Sequence, residues 1–492
     1  MAVLGFGEWL PDLPPLENTG AIYVNNVVPT AGGNYAPWYA FTPINAYATT
    51  ERCQGAITAR ANNGTVSTIA GGRTKLSLAT TGAFSDVSRL VGGAYTGQET
   101  DYWKFAKFGD VVFGTNFADK PQQFTLSSST NFTDSATFPR AKFITASKDF
   151  VFLGNINDSF DGLRPERVAW SQIRAATYTP GVGLSDNNDL LGDGGVVMGL
   201  HHGSYLTVLQ EKAVWRADFT GDVAIPFAFQ KFESTQGSSY PNGSAQYADV
   251  VYFISQDGFC RSNGQTVETI GSGKVNKYFN DNINRSYPER VYAAIDVLNR
   301  LVVWVYPSLL SSGTPDKAII YYMNENRFSQ GDVAVDAIFS TLTRDTSIDD
   351  IPLPLDTLGA VSLDSAIYAG GAYRLGGFNS SNLLCYRGSS PLAATIIGAE
   401  VQITPNRRTT LKGLKVSCDV MPQSSMTVSV GTRDNQGATS VFTTMVTPSA
   451  RNHFPFRADG RYHRARVDVA AGATWTKLQG LIDLEYRPSG LR

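Results

Sequence analysis

Three stretches of this chain spell nearly the same strand: Asp110-Val-Val-Phe113, Asp149-Phe-Val-Phe152 and Asp249-Val-Val-Tyr252. Each is an apolar β-run entered from an acidic turn residue. The steps between them are about 39 and about 100 residues, and Gly195-Val-Val-Met198 lies near the midpoint of the longer one. Leu301-Val-Val-Trp-Val-Tyr306 follows about 50 residues after Asp249. Self-similarity at roughly 40–50 residues is what a β-propeller produces, because each blade is one four-stranded sheet. A ring of blades around a channel serves gating, docking or ligand capture equally well, so the fold leaves function open.

The chain has 492 residues, enough for one large propeller and an added module. Charged residues make up only 17%, against 42% hydrophobic residues and 47 glycines, which is the profile of a β-protein with many turns. Cys53, Cys260, Cys385 and Cys418 have no short spacing. That pattern excludes a CxxC motif, offers no disulfide framework and predicts four reduced thiols. Met1 to Trp9 has neither a basic n-region nor a continuous apolar h-region, so no signal peptide is predicted. No apolar run is long enough to cross a bilayer, and the expectation is a soluble protein. Charge is uneven along the chain: residues 400–492 carry 13 Lys and Arg against 7 Asp and Glu, whereas the whole chain nets -2. An acidic body with a basic end module points to two surfaces with different partners.

Residues 1–50 read as an extended, Pro-rich arm. Pro11, Pro14, Pro15, Pro29, Pro37 and Pro43 oppose a long helix or a central strand, yet Trp9, Tyr23, Trp38 and Phe41 are too apolar for a free linker. Such an arm packs on another surface as a clamp. Residues 51–380 are short strands punctuated by Asn63-Gly64, Asp161-Gly162, Asn242-Gly243, Asp257-Gly258 and Asn263-Gly264, the dipeptides of tight hairpins. Within Lys274–Arg285, residues Val275, Tyr278, Phe279 and Ile283 share one helical face, which predicts a short helix leaning on a blade. Segment 341–358 reads as a loop from its prolines and acidic cluster. From 381 the texture changes. Met426–Val430 and Arg464–Val469 alternate strictly, so 381–492 is expected to form a separate small β-sandwich.

Chemistry-bearing motifs fail one by one. His201 and His202 are adjacent on a strand, point to opposite faces and cannot share an ion. Gly271-Ser-Gly-Lys274 lacks the first glycine and the final Ser or Thr of a phosphate loop. Ser255-Gln-Asp257-Gly258-Phe259 matches only the first half of a sialidase Asp-box, and a turn explains it better. Asp186, Asn187, Asn188, Asp189 and Asp193 fail the EF-hand pattern at Leu190 and Leu191, which leaves a flexible surface loop as the expectation. No catalytic, cofactor-binding or metal-ligating residues are predicted.

The ends of the chain are more specific than its blades. Phe6-Gly-Glu-Trp-Leu-Pro-Asp-Leu-Pro14, Asn26-Val-Val-Pro29 and Tyr35-Ala-Pro37 resemble the opening of tail proteins from short-tailed double-stranded DNA phages. The stretch from Phe253-Ile-Ser-Gln-Asp-Gly-Phe259 to Lys274-Val275 and Phe279 is similar too. So are Gly460-Arg-Tyr-His-Arg-Ala-Arg-Val467, Gly472-Ala-Thr-Trp475 and Pro488-Ser-Gly-Leu-Arg492. The resemblance points to the tail nozzle, or to the related packaged-DNA-stabilisation (head-closure) proteins. It implies a non-enzymatic virion component, a homo-oligomer expected to be a hexamer, with portal and adaptor proteins and tail fibres as partners. Double-stranded DNA would pass through transiently, and no cofactor is implied.

The expected architecture is all-β: a degenerate β-propeller over 51–380, a β-sandwich platform over 381–492, and the 1–50 arm packed on that platform. Trp9, Trp38, Tyr462 and Trp475, with Arg461 and Arg464, are the candidates for subunit contacts, because interface energy concentrates in aromatics and Arg. Two rivals of other classes stand beside this reading. A glycan- or receptor-binding propeller would expose an aromatic cleft. A propeller hydrolase would gather two or three carboxylates at the channel mouth.

Overall fold

The apolar runs that mark the repeat become strands covered on both faces. Leu301–Tyr306 is buried at every position, and Val250–Ser255 at every position but the first. A strand sandwiched between neighbouring blades has no solvent side, so it reads as a continuous apolar run rather than an alternation. The computed structural model describes residues 4–15, 17–80, 83–147, 149–343 and 371–490. Within them lie seven four-stranded antiparallel sheets, the blades of a β-propeller. Blade 1 covers 55–86, blade 2 104–134, blade 3 140–189, blade 4 197–233, blade 5 245–269 and blade 6 292–332.

Blade 7 is assembled from both parts of the chain. Ala337–Leu342, Tyr373–Phe378 and Leu383–Pro391 supply three strands, and Tyr39–Ala48 adds the fourth from the N-terminal side. The ring closes where the innermost strands of blades 7 and 1 meet, with Thr58 Oγ1 2.6 Å from Thr341 Oγ1. Closure packs blade 7 against blade 1, and each blade keeps only short edge strands.

This geometry corrects the expected boundaries. The propeller takes Tyr39–Ala48 out of the arm and runs past 380 to Pro391. The acidic Asp186–Asp189 is the outer strand of blade 3 rather than a loop, because Arg167 holds Asp189 through both guanidinium branches, at 2.5 and 3.0 Å. Gly195–Met198 leads into the innermost strand of blade 4 (Val197–His202) and is not equivalent to the other runs, which are second strands. The helix forms over Asn276–Asn282, with Val275, Phe279 and Ile283 buried. Of the 341–358 segment, residues 344–358 lie outside the described residues.

Two further sheets form a platform. One joins Val27–Thr30, Asn34–Pro37, Leu478–Gly490, Arg408–Cys418 and Phe454–Gly460, with Leu4–Gly5 added to Leu478–Gly490. The other joins Tyr23–Asn25, Ala394–Ile397, Tyr462–Val469, Met426–Arg433 and Val441–Phe442. Leu411, Leu414 and Leu481 from the first pack with Val428, Val430 and Val467 from the second. The same continuous core takes in Phe259, Trp304 and Tyr321 of blades 5 and 6. Platform and propeller therefore share one hydrophobic interior.

Trp38 shows how tight the join is. It is fully buried, its Nε1 donates to the Asp332 carbonyl at 3.2 Å, and the Arg387 guanidinium lies 4.8 Å from its ring. A Cβ on Gly331 would come within 2.7 Å of the indole, so only glycine fits there. Trp38→Ala leaves a cavity at this seam and is expected to cost about 3–5 kcal/mol. Urea unfolding should show the loss with an unchanged m-value; a change under about 1 kcal/mol would mean that blade 7 closes without the indole.

Candidate functional site

The residues singled out at the two ends of the chain do come together, but mostly inside it. Trp9 and Trp475 are buried in the core that joins the platform to blades 5 and 6. Trp9 packs edge-on to Tyr278 of the short helix at 5.1 Å. Trp38 belongs to the neighbouring core of blades 6 and 7. Tyr462 is 9% exposed, and its hydroxyl accepts a hydrogen bond from Gln436 at 3.1 Å. These four aromatics are spent on folding and offer little surface to a second copy.

Arg461 and Arg464 differ. Both are half-buried, and the Nε of each has no hydrogen-bond partner. Arg464 lies 5.2 Å over the Phe442 ring, and burial depresses its basicity although Glu400 is near. Exposed Val441 and Met445 belong to the same edge of the platform. The two orphaned Nε atoms are themselves inaccessible, so what this edge offers a neighbour is the apolar surface of Val441 and Met445.

The propeller axis carries a second cluster. Tyr102 and Lys104 open the innermost strand of blade 2, Tyr292 opens that of blade 6, and Asp336 precedes that of blade 7. Burial raises the Tyr102 phenol, with Asp101 and Tyr292 adding to the rise. Burial pushes the Tyr292 phenol up to about 12, and Arg52 moderates the rise. Lys104 stands between the Tyr102 and Phe143 rings, 5.7 and 5.9 Å from their centroids, and burial lowers its pKa to about 8. Burial, reinforced by Lys104, lowers His201 to about 3, so this imidazole is neutral and hydrogen-bonds Ser244 at 2.9 Å.

Desolvation raises Asp336, with Arg52 and Arg290 opposing. Among the described residues it is the one carboxyl group with an upward shift, and no second acid joins it. The described residues also contain no group of three or more His, Cys, Asp or Glu placed to hold a metal. His202, beside His201, stacks instead on Phe152 at 5.6 Å. Lys274 of the Gly-Ser-Gly-Lys stretch bonds Glu8 and the Asn326 carbonyl, both at 2.7 Å, tying the N-terminal segment to the propeller. The four cysteines are free thiols.

Nothing in the sequence announced the axial cluster. Its members belong to the first strands of their blades, which are short and mixed in polarity. Only the phase of the blades, fixed by ring closure, brings them to the axis.

No family model and no curated protein matches this chain significantly. Among solved structures, a chain of a mitotic checkpoint complex is similar at 11% identity and TM-score 0.41, covering 73% of this chain and 96% of that one. BamB from Moraxella catarrhalis is similar at 11% identity and TM-score 0.37, covering 74% and 93%. The extracellular domain of BT4673 from B. thetaiotaomicron aligns at 8% identity and TM-score 0.43, over 86% of this chain and 48% of that one.

The axial cations give a directional test. Lys104 holds its proton less tightly folded than unfolded, so its charge weakens the fold below about pH 8 and ceases to do so as the pH rises toward 10.5. Lys104→Met should therefore raise Tm at neutral pH, with the gain shrinking in alkali. His201 acts in the acid range: the unfolded chain gains the proton first, so stability should fall as the pH drops below 6.5 toward 3. A Lys104→Met variant less stable at pH 7 would show that the ammonium is paired.

Proposed function

We propose that this chain is a structural virion protein, a tail nozzle of a short-tailed phage that assembles into a ring, retains packaged DNA and passes it during ejection. The observation that carries the reading is the platform. Both ends of the chain are woven into one two-sheet module that shares a hydrophobic core with blades 5 and 6. A protomer of two rigidly joined lobes is what a closed cyclic assembly needs, since each copy must present two fixed, complementary faces. Exposed Val441 and Met445, beside half-buried Arg464, offer an apolar face of that kind.

In this reading the conduit runs between protomers. The acidic balance of the first 399 residues fits a conduit, because a lumen that held phosphates by counterion release would stall ejection. The resemblance of the chain ends to nozzle and head-closure proteins supplies the family; gating is mechanical, and no residue is assigned a catalytic role.

The mass of the purified protein, alone and mixed with its portal–adaptor complex, tests the ring by light scattering. A hexamer or larger ring in either state is the expected result, and Arg464→Glu should weaken it while the chain stays folded. A strict monomer that ignores the portal complex would overturn the reading. Duplex DNA should bind weakly at physiological salt, and submicromolar affinity would contradict a passive conduit.

A further inference from the structure

The face of the propeller where second strands turn into third strands carries a cleft of about 870 Å³ between blades 2 and 3. Its walls are the Ala118–Lys120 turn, the 134–140 connector and the Asn157–Asp161 hairpin tip, with Tyr178 on the outer side. At its rim Phe160 is 96% exposed, the most exposed aromatic ring among the described residues. The ring sits on a fixed mount. Asp158 Oδ1 accepts hydrogen bonds from the backbone N–H of Phe160 at 2.7 Å and of Asp161 at 2.5 Å. Arg167, 6% exposed, binds Asp158 and Asp161 through Nη1 at 3.3 and 2.5 Å while its other nitrogens clasp Asp189.

Two of the cleft's cations, Arg89 and Arg167, are paired with its carboxylates, and Arg140 bonds the Ala118 carbonyl. The cleft walls carry four cations and four carboxylates, so their formal charge is zero. Arg89 Nη2 and Nη1 reach Asp119 and Asp134 at 2.9 and 3.0 Å, as Arg167 holds the hairpin acids. Asp134 and Asp161 are partly exposed, and each spends one oxygen on its arginine, leaving the other for a new donor. Asn187 donates to the Tyr178 hydroxyl at 3.1 Å, which leaves the phenol proton free to be donated into the cleft.

From this geometry we propose that the cleft binds a neutral saccharide, with Phe160 as the stacking platform and Asp134, Asp161 and Tyr178 as hydroxyl-binding groups. A cleft of zero formal charge gives little net field to attract an acidic polymer, which argues against a nucleic-acid site. A protein hot spot would be set in a contiguous exposed apolar patch, whereas Phe138 of this cleft is buried and the bare ring of Phe160 is flanked by the Asp158 and Asp161 carboxylates. A sugar matches both features. The C–H face of a pyranose packs on a bare aromatic ring, and its neighbouring hydroxyls match planar, fixed hydrogen-bonding groups. Pre-ordering by buried Arg167 lowers the entropic cost of capture. The inference stands apart from the ring, since a monomer presents the same cleft.

The test is an array of neutral oligosaccharides from bacterial surface polysaccharides, probed with the full-length protein and followed by calorimetry on the best ligand. Binding that persists at high salt is expected, with Phe160→Ser weakening it at least about tenfold, or about 1.4 kcal/mol. Asp161→Asn and Tyr178→Phe should each weaken it less, and Phe160→Ser should melt like the wild type, because its ring is almost wholly exposed. Retention of no neutral sugar, equal binding by Phe160→Ser, or binding abolished by salt would each overturn the proposal. So would a Phe160→Ser variant that changes oligomeric mass while the wild type binds no sugar, which would make the ring a contact between copies.

Discussion

Strand addition by the first 48 residues holds the molecule together. In order, this segment adds Leu4–Gly5 to one platform sheet, Tyr23–Asn25 to the other, Val27–Pro37 back to the first, and Tyr39–Ala48 to blade 7. Between these it lies along the outer strand of blade 6. Gln330 Nε2 donates to the Val24 carbonyl at 2.7 Å, Arg327 donates to the Gly7 and Thr30 carbonyls at 2.8 and 3.2 Å, and Asn25 and Asn26 both donate to Asp332 at 2.8 Å. Backbone groups that would otherwise be orphaned at a buried seam are thereby satisfied. Asp12 extends the tie by accepting from the N–H groups of Lys277 and Tyr278 in the first turn of the short helix.

One consequence is mechanical coupling. The platform cannot pivot freely on the propeller, because blades 5 and 6 and both platform sheets share one core. Interiors packed to native density transmit strain rather than absorb it. A force applied to the platform face that carries Arg464 would reach blade 7 through Trp38 and the buried Arg387–Asp296 pair. That is a useful property for a gate, and it explains why so many large aromatics of the terminal segments are interior rather than available for assembly.

The axis and the outer cleft divide the polar residues of the propeller in opposite ways. At the axis Lys104 and His201 are desolvated without a carboxylate partner and hold their protons less tightly. In the cleft Arg89 and Arg167 are as deeply placed but keep their charge, because Asp119, Asp134, Asp158, Asp161 and Asp189 surround them. The first arrangement weakens the hold on protons; the second pre-orders a surface.

The sequence alone determined the class of fold. Second strands such as Asp249–Tyr252 and Leu301–Tyr306 are covered on both faces, so their apolar character survives in any propeller and shows as a repeat. The same logic exposed the alternating platform strands and the Val275–Phe279–Ile283 face of the helix. Less local features were out of reach. The pairing of Tyr39 with Pro391, the burial of Trp9, Trp38 and Trp475, and the strand at Asp186–Asp189 all depend on partners far away along the chain. The axial and cleft residues lie in short, polar or mixed segments with no periodicity of their own. A local pattern records what each strand needs to bury; only closure of the ring decides which strand meets which, and hence which polar groups face each other.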